Sequence, residues 1–403
     1  MAKPNLALIP ATIGDKVYSI LPSDGVGDFD FDRADGSSPT GVTRINAQGL
    51  IETVASGENR LNYSLLDGEV VGCPHLLLEP SRTNLVTYSE DFSLWSKTGS
   101  TSVSSNDNIS PDGTLNASTV SGLTGSGSND LRLSLGINPA NKTYTFSVYL
   151  KGTGTLRLHL SNNVDNTASN IVTLTSSWVR YELTHTFNST SATLSVLLDD
   201  SGATATGYKV WGAQLEEGSF PTSYIKTTSA SVTRAAETCN GSGNAATFND
   251  SEGVLMVEAS SLSELDVTAR YIQVSDGTST PNGIQLRYYT TTNSLQALYY
   301  TNSAYQAILG YTLPNSSENN KIAFKYKEND FALWVNGLEV GTDTNGLVGA
   351  TLSQLKFDYN NFSDFYGKTK QLQYFDTTDI DLEQLTSWDS FRAMAEGQLY
   401  TIE

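Results

Sequence analysis

Residues 76–95 read LLLEPSRTNLVTYSEDFSLW, and where this stretch breaks decides how the chain is divided. The apolar run Leu76–Leu78 meets Glu79-Pro80. Proline has no amide donor and restricts the residue before it, so neither a central strand nor a helix continues through this point. A second segment, rich in aromatic and acidic residues, starts almost at once. The stretch therefore reads as a threshold between two units.

Upstream of it, from Lys16 to Leu78, short extended segments alternate with turn residues: VYSILP, DFDFDRA, GVTRI, GLIETVA, RLNYSLL and EVVGCPHLLL. They are too short for a large core of their own, which predicts a small β-rich unit leaning on something else. In GDFDFDRADG, strand alternation puts Phe29 and Phe31 on one side and Asp28, Asp30 and Asp32 on the other.

Downstream the alternating segments lengthen and recur at regular spacing, as in a sandwich or barrel. YTFSVYLKG alternates Tyr144, Phe146, Val148 and Leu150 with polar partners, and TLRLHLS repeats the pattern with Leu156, Leu158 and Leu160. SSWVRYELTHTF, ATLSVLLDD and GYKVWGAQLEEG follow, and Pro221 with a Ser/Thr run closes the series. A third series runs from TFNDSEGVLMVEAS near Ala246 to TKQLQYFD. Within it, Asn336-Gly337 between FALWV and LEV is the strongest hairpin signal, since both residues accept the positive φ of a type I′ turn. LEQLTSWDSFRAMAEG carries Leu382, Leu385, Trp388 and Phe391 at helical spacing with Gly397 as a stop, which predicts one C-terminal helix.

Composition agrees with a β protein of several units. At 403 residues the chain exceeds the roughly 250–300 at which single cores stop growing. Only 17% of residues are charged, and Gly, Ser, Thr, Asn, Tyr and Val are abundant, which favours strands and turns over helices. A net charge of −19 argues against nucleic acid, whose binding rests on Lys and Arg replacing condensed counterions. The start MAKPNLALIPATIG lacks the apolar region of a signal peptide, and no apolar run approaches the roughly 20 residues of a membrane span. Synthesis in a cytoplasm without membrane insertion is the expectation. Cys73 and Cys239 are too few for a disulfide framework or a zinc site and read as two buried thiols.

Several segments together resemble a recurrent type of phage virion protein. They are GLIETVASGENRLNYS (Gly49 to Ser64), LLLEPSRTNLVTYSEDFSLWSKTG (Leu76 to Gly99), SPDGT (Ser110 to Thr114) and WGAQLEEGSFPTSYIKTTSASVTRAAE (Trp211 to Glu237). Such head or tail fibres contain a carbohydrate-binding-module-like jelly roll and often end in a lectin-like sandwich. KIAFKYKENDFALWVNGLEVG is similar to the central hairpin of laminin-G or concanavalin-like sandwiches, and TTDIDLEQLTSWDSF resembles the helical tail that often follows one.

The resemblance implies an all-β fold: an N-terminal β-rich attachment unit (1–80), a jelly-roll β-sandwich (81–238) and a second, lectin-like β-sandwich with a short C-terminal helix (239–403). In the resembling proteins EPSRTNL leads into the first jelly-roll strand and VTRAAE leads out of the last. Leu76–Asn84 and Val232–Cys239 should therefore meet at one end, bringing Cys73 near Cys239. Structural Ca²⁺ in such jelly rolls sits near the first and last strands, which singles out Glu90, Asp91 and Glu216, although six to eight ligands are needed and most are unidentified.

The remaining constellations divide between packing and function. The Asp28, Asp30, Asp32 triplet superficially fits the carboxylate spacing of about 5–5.5 Å in retaining glycosidases, but a solvated strand face explains it, and it lacks the glycine and glutamate of an EF-hand. Tyr288, Tyr289, Tyr299, Tyr300 and Tyr305 are dense enough to stack sugars, while alternation turns one ring of each consecutive pair into the core. Trp95, Trp178, Trp211, Trp334 and Trp388 read as core, and His75, His159 and His185 have no partner at ligand spacing.

The expectation is a non-enzymatic, homotrimeric virion-surface protein contacting other virion proteins and adhering to host surface polysaccharide by avidity. A decoration protein without a ligand and a polysaccharide depolymerase are the alternatives.

Overall fold

The computed structural model describes residues 3–10, 17–20, 29–33, 42–55, 58–164, 170–191, 193–263, 268–278, 280–359 and 363–388. The fold is all-β: two layered β units, as the alternation predicts, with a single short α-helix among the described residues.

The middle of the chain forms a sandwich of two five-stranded sheets. One contains Ser102–Ile109, Leu115–Ser121, Gly207–Glu217, Lys142–Gly152 and Val179–Phe187, and the other Ile171–Thr173, Thr155–Ser161, Leu194–Asp199, Asp130–Leu135 and Ser96–Lys97, each in spatial order. Tyr144, Phe146, Val148 and Leu150 from the first sheet meet Leu156, Leu158 and Leu160 from the second in one buried cluster. Period-two alternation leaves the other face of each strand to solvent or to neighbours.

The C-terminal sandwich has a five-stranded sheet, ordered Ala304–Thr312, Ser294–Thr301, Gly283–Tyr288, Arg270–Ser275 and Gln354–Lys356. Facing it is a nine-stranded sheet built from both ends of the chain. Its strand Gly367–Phe375 pairs with Glu252–Ser261 on one edge. On the other edge it is shared: Leu6–Leu8 lie against Tyr374–Leu372, and Leu78–Leu76 against Gly367–Thr369. Leu6, Leu8, Leu76 and Leu78 are buried in the same cluster as Leu255, Val257, Phe324 and Leu372. The unit that leans is thus an edge extension of the last sheet.

Another N-terminal piece, the ribbon Thr43–Ile45/Ile51–Thr53, packs instead on the middle sandwich, where Ile51 meets Ala117, Trp211 and Tyr224. Asp30 and Asp32 are exposed and Phe29 is buried, as alternation requires, while Asp28 lies outside the described residues.

The two ends of the middle sandwich do meet: Val232–Arg234 pairs with Arg82–Asn84, and the Glu237 amide donates to the Glu79 carbonyl at 3.1 Å. The cysteines differ from expectation, because Cys73 is exposed on its strand while Cys239 is buried; both are free. Asn336 and Gly337 take φ of 51° and 84° and close the expected hairpin.

The helix is shorter than its apolar spacing suggests. It covers Leu382–Thr386, capped by Asp381, and ends where Ser387 turns extended with its amide and hydroxyl both on the Glu383 carbonyl. Leu382 and Leu385 pack on Val254, Met256 and Phe375. Phe391 and Gly397 lie outside the described residues. Trp95 and Trp211 are core residues, whereas Trp178, Trp334 and Trp388 are only half-buried.

A buried ionic cluster ties these pieces together. Glu79 Oε2 lies 2.8 Å from both Arg60 Nη2 and Arg234 Nη1. Glu237 takes Arg60 Nε at 2.8 Å and Arg33 Nη1 at 3.1 Å. Ser223 adds its amide at 2.8 Å and its hydroxyl at 2.6 Å to Glu79. Burial alone would raise the Glu79 carboxyl, but Arg234, Arg60 and Ser223 outweigh it and hold it well below the usual carboxylate range. Asn84 completes the threshold: its amide donates to the Ala213 and Ile225 carbonyls and its oxygen accepts from the Val86 and Leu215 amides.

Candidate functional site

The outward face of the C-terminal five-stranded sheet gathers the aromatic residues. Its strands pair Tyr271 with Arg287, Arg287 with Gln296, and Tyr300 with Tyr305, so these side chains share one face by register. Arg287 is the organiser. Its Nη1 donates to the Tyr271 hydroxyl at 2.9 Å, its Nε donates to Gln296 Oε1 at 2.7 Å, and its guanidinium lies 4.5 Å from the centre of the Tyr289 ring. Tyr359 packs on Tyr271 with ring centres 4.9 Å apart, and Tyr300 meets Tyr305 edge-on at 5.1 Å. Burial raises the Tyr359 hydroxyl above its usual value, reinforced by the neighbouring Tyr305, Tyr271 and Tyr300 hydroxyls.

Of the five tyrosines singled out by density, Tyr289 and Tyr305 are exposed at 37% and 46%, and Tyr300 is half-buried beside them. Tyr288 and Tyr299 point the other way. The Tyr288 hydroxyl donates to the Ala259 carbonyl, and the Tyr299 hydroxyl accepts from the Gly349 and Ala350 amides while its ring stacks on Tyr326. Both are sealed in the sandwich core and offer no ring face to a ligand.

Two glutamines complete the outward face. Gln273 and Gln285 stand opposite each other on adjacent strands, are 1% and 2% exposed, and carry side-chain oxygens with no hydrogen-bond partner among the described residues. A buried acceptor without a donor is costly, and both oxygens lie beneath the surface, out of reach of a ligand on the face. Residue density missed Tyr271, Arg287, Tyr359, Gln273 and Gln285. The alternation of YIQVS and GIQLRYY would have found four of them, because Gln285, Arg287 and Tyr289 stand at i, i+2 and i+4, and Tyr271 and Gln273 at i and i+2. Tyr359 arrives from a separate segment.

Glu90, Asp91 and Glu216 do not converge. Glu216 is fully buried, accepting from the Thr222 amide at 2.9 Å, from the Thr222 hydroxyl, and from Gln214 Nε2 at 2.8 Å. Glu90 lies in a separate hollow with Asp91, where it accepts from the Tyr224 hydroxyl at 3.0 Å and pairs with the Lys226 ammonium at 2.8 Å. Asp91 caps a short 3₁₀ turn through the Ser93 amide. Among the described residues no group of three or more His, Cys, Asp or Glu side chains could hold a metal ion. With Glu216 consumed by Thr222 and Glu90 neutralised by Lys226, these three carboxylates do not fit a Ca²⁺ site.

His75 is buried against Asn62, and burial together with Lys368, Lys370 and Arg60 holds its imidazole well below the usual value. No helix among the described residues is long and apolar enough to cross a membrane.

No protein-family model and no curated protein matches this chain. Among solved structures, it is similar to the CBM40 of the Ruminococcus gnavus IT-sialidase bound to α2,3-sialyllactose. That likeness has 16% identity and a TM-score of 0.31, over 37% of this chain and 94% of that one. It is also similar to a leech intramolecular trans-sialidase, at 14% identity and a TM-score of 0.30, over 36% of this chain and 24% of that one. A Trypanosoma rangeli sialidase gives 8% identity and a TM-score of 0.30, over 37% of this chain and 25% of that one. At such identities and scores, the ligands of these proteins stay with them.

Proposed function

We propose that this chain is a non-enzymatic adhesion protein of a phage virion that binds surface glycan through the outward face carrying Tyr289, Tyr300, Tyr305 and Arg287. The observation that carries the binding role is the grouping of the exposed Tyr289 and Tyr305 rings with the half-buried Tyr300 and the Arg287 guanidinium on one sheet face. Rings stack on the C–H faces of sugars, and a guanidinium fixed beside them donates to hydroxyls. The virion setting rests on the resemblance of the EPSRTNL and VTRAAE segments. It carries with it a homotrimer at the particle surface, in which weak single sites add up by avidity.

The test is glycan-array binding with the full chain, followed by titration of any hit against Tyr305→Ala, Tyr289→Ala and a Tyr288→Phe control. Loss of aromatic stacking is expected to weaken binding about tenfold or more for the outward residues and to leave the control unchanged. Silence of the wild-type chain across host glycans, or equal binding by all variants, refutes the site. Light scattering of the purified chain checks the trimer, and antibody labelling of intact particles checks the location.

A further inference from the structure

A second cavity lies where the three stretches of chain meet, on the opposite side of the nine-stranded sheet from its core. It measures about 330 Å³, at the low end of the range for small-ligand pockets. Arg44, Asn62 and Glu79 line it from the N-terminal stretch, Arg180 and Phe220 from the middle sandwich, and Lys368 from the last sheet.

Its charge balance sets it apart from the rest of the molecule. The chain carries −19 overall, yet here cations exceed the acids left to answer them. Glu79, the acid in the wall, is already held by Arg60, Arg234 and Ser223. Arg44 is bound to Glu52 at 2.7 Å. Arg180 has no acidic partner among the described residues: it donates only to the Thr222 carbonyl at 2.7 Å and the Ser147 hydroxyl at 2.8 Å, and its Nε is buried with no acceptor.

The Lys368 ammonium has neither a hydrogen bond nor an ion pair among the described residues. It sits at the middle of the sheet, opposite Leu77 on one neighbouring strand and Ser260 on the other. Burial lowers its ammonium, with Glu79 opposing and Lys370 reinforcing that shift. An ammonium held half-buried without an ion pair or a hydrogen bond costs stability, unless something brought from outside repays it. The walls add Phe220, Leu262 and Ile51 as apolar surface and Ser261 and Ser317 as hydroxyls.

We propose that this junction cavity binds a small carboxylate-bearing ligand of the size and polarity of an acidic monosaccharide, with Lys368 and Arg180 taking the carboxylate and the serines the ring hydroxyls. The site is separate from the tyrosine face and stands or falls independently of it. Because its walls come from both sandwiches, the bound anion would also stiffen the junction.

The experiment follows the melting temperature of the full chain at constant ionic strength while D-glucuronate, methyl glucoside or inorganic phosphate is titrated. Glucuronate is expected to give a saturable rise and methyl glucoside none. Lys368→Gln should weaken the apparent Kd for glucuronate about tenfold or more, as loss of a charge-assisted hydrogen bond requires, and Lys368→Arg should retain it. In the absence of ligand, K368Q should melt no lower than the wild type, since it removes a half-buried charge that has no ion pair; a merely structural lysine would lower the melting point. No saturable shift with glucuronate, an equal shift with phosphate, or undiminished binding by K368Q overturns the proposal.

Discussion

Glu79 shows what the threshold segment is for. It is the residue before Pro80 at the point where the apolar run stops, and its carboxylate ends 3–4% exposed among guanidiniums drawn from distant parts of the chain. Arg33 and Arg60 come from upstream, and Arg234 and Glu237 from the segment leaving the middle sandwich. Removing one partner of such a buried cluster leaves opposite charge uncompensated, which costs more than the intact cluster contributes. Glu79→Gln preserves shape and deletes charge, so it should lower unfolding free energy by about 3–5 kcal/mol in a denaturant titration. A loss under about 1 kcal/mol, the range of surface pairs, would mean that the cluster is solvated. Ordinary sequence reading saw Glu79 only as a break in a strand. Three arginines spread over two hundred residues leave no local pattern from which their convergence could be read, although the EPSRTN and VTRAAE segments already contained three of the five charges.

Among elements, the strand Gly367–Phe375 is the most demanding. It has an inner neighbour in Glu252–Ser261, but among the described residues its outer edge is closed only by Leu6–Leu8 and Leu76–Leu78. A fragment of residues 239–403 leaves that edge bare and loses Leu6, Leu8, Leu76 and Leu78 from the core. Deleting even one buried leucine side chain costs about 2–5 kcal/mol, so the fragment is expected to aggregate or show no cooperative melting by circular dichroism, whereas the full chain melts cooperatively. A fragment with a sharp transition at the full-length temperature would refute this dependence. Period-two alternation made the strands themselves legible, including the Asn336-Gly337 hairpin and the core sides of Tyr144 to Leu150. Partner choice was not legible, because the short N-terminal strands carry no mark of which sheet they join. The same limit explains the tyrosines: alternation divides Tyr288 from Tyr289 and Tyr299 from Tyr300, but only register brings Arg287 and Tyr359 to the outward set.

At the scale of the whole molecule, buried titratable groups predict an acid-sensitive fold. His75 is neutral when folded because its affinity for protons is lowered, whereas an unfolded histidine takes one below about pH 6.5. The unfolded state therefore binds more protons, and stability falls with decreasing pH from there. Glu79 adds to this: its folded carboxyl is depressed, so its contribution is complete above the unfolded value of about 4.3 and is lost as pH falls further. Unfolding free energies measured between pH 8 and 3 should decline in two stages, and His75→Gln should flatten the first. A flat profile down to pH 4 would contradict both assignments.

The sharing of one strand's edge by both ends of the chain also sets a timetable for synthesis. Leu6–Leu8 are made some three hundred and sixty residues before Tyr374, so their strand, paired on one side with Val17–Ile20, waits that long for its other neighbour. The middle sandwich has its own core within one continuous stretch and can collapse in the meantime, leaving the distant pairing as the late and slow event. Ribosome-bound chains halted before Gly367 are accordingly expected to carry a folded centre while Leu6–Leu8 and Leu76–Leu78 still lack the strand that joins them to the last sheet.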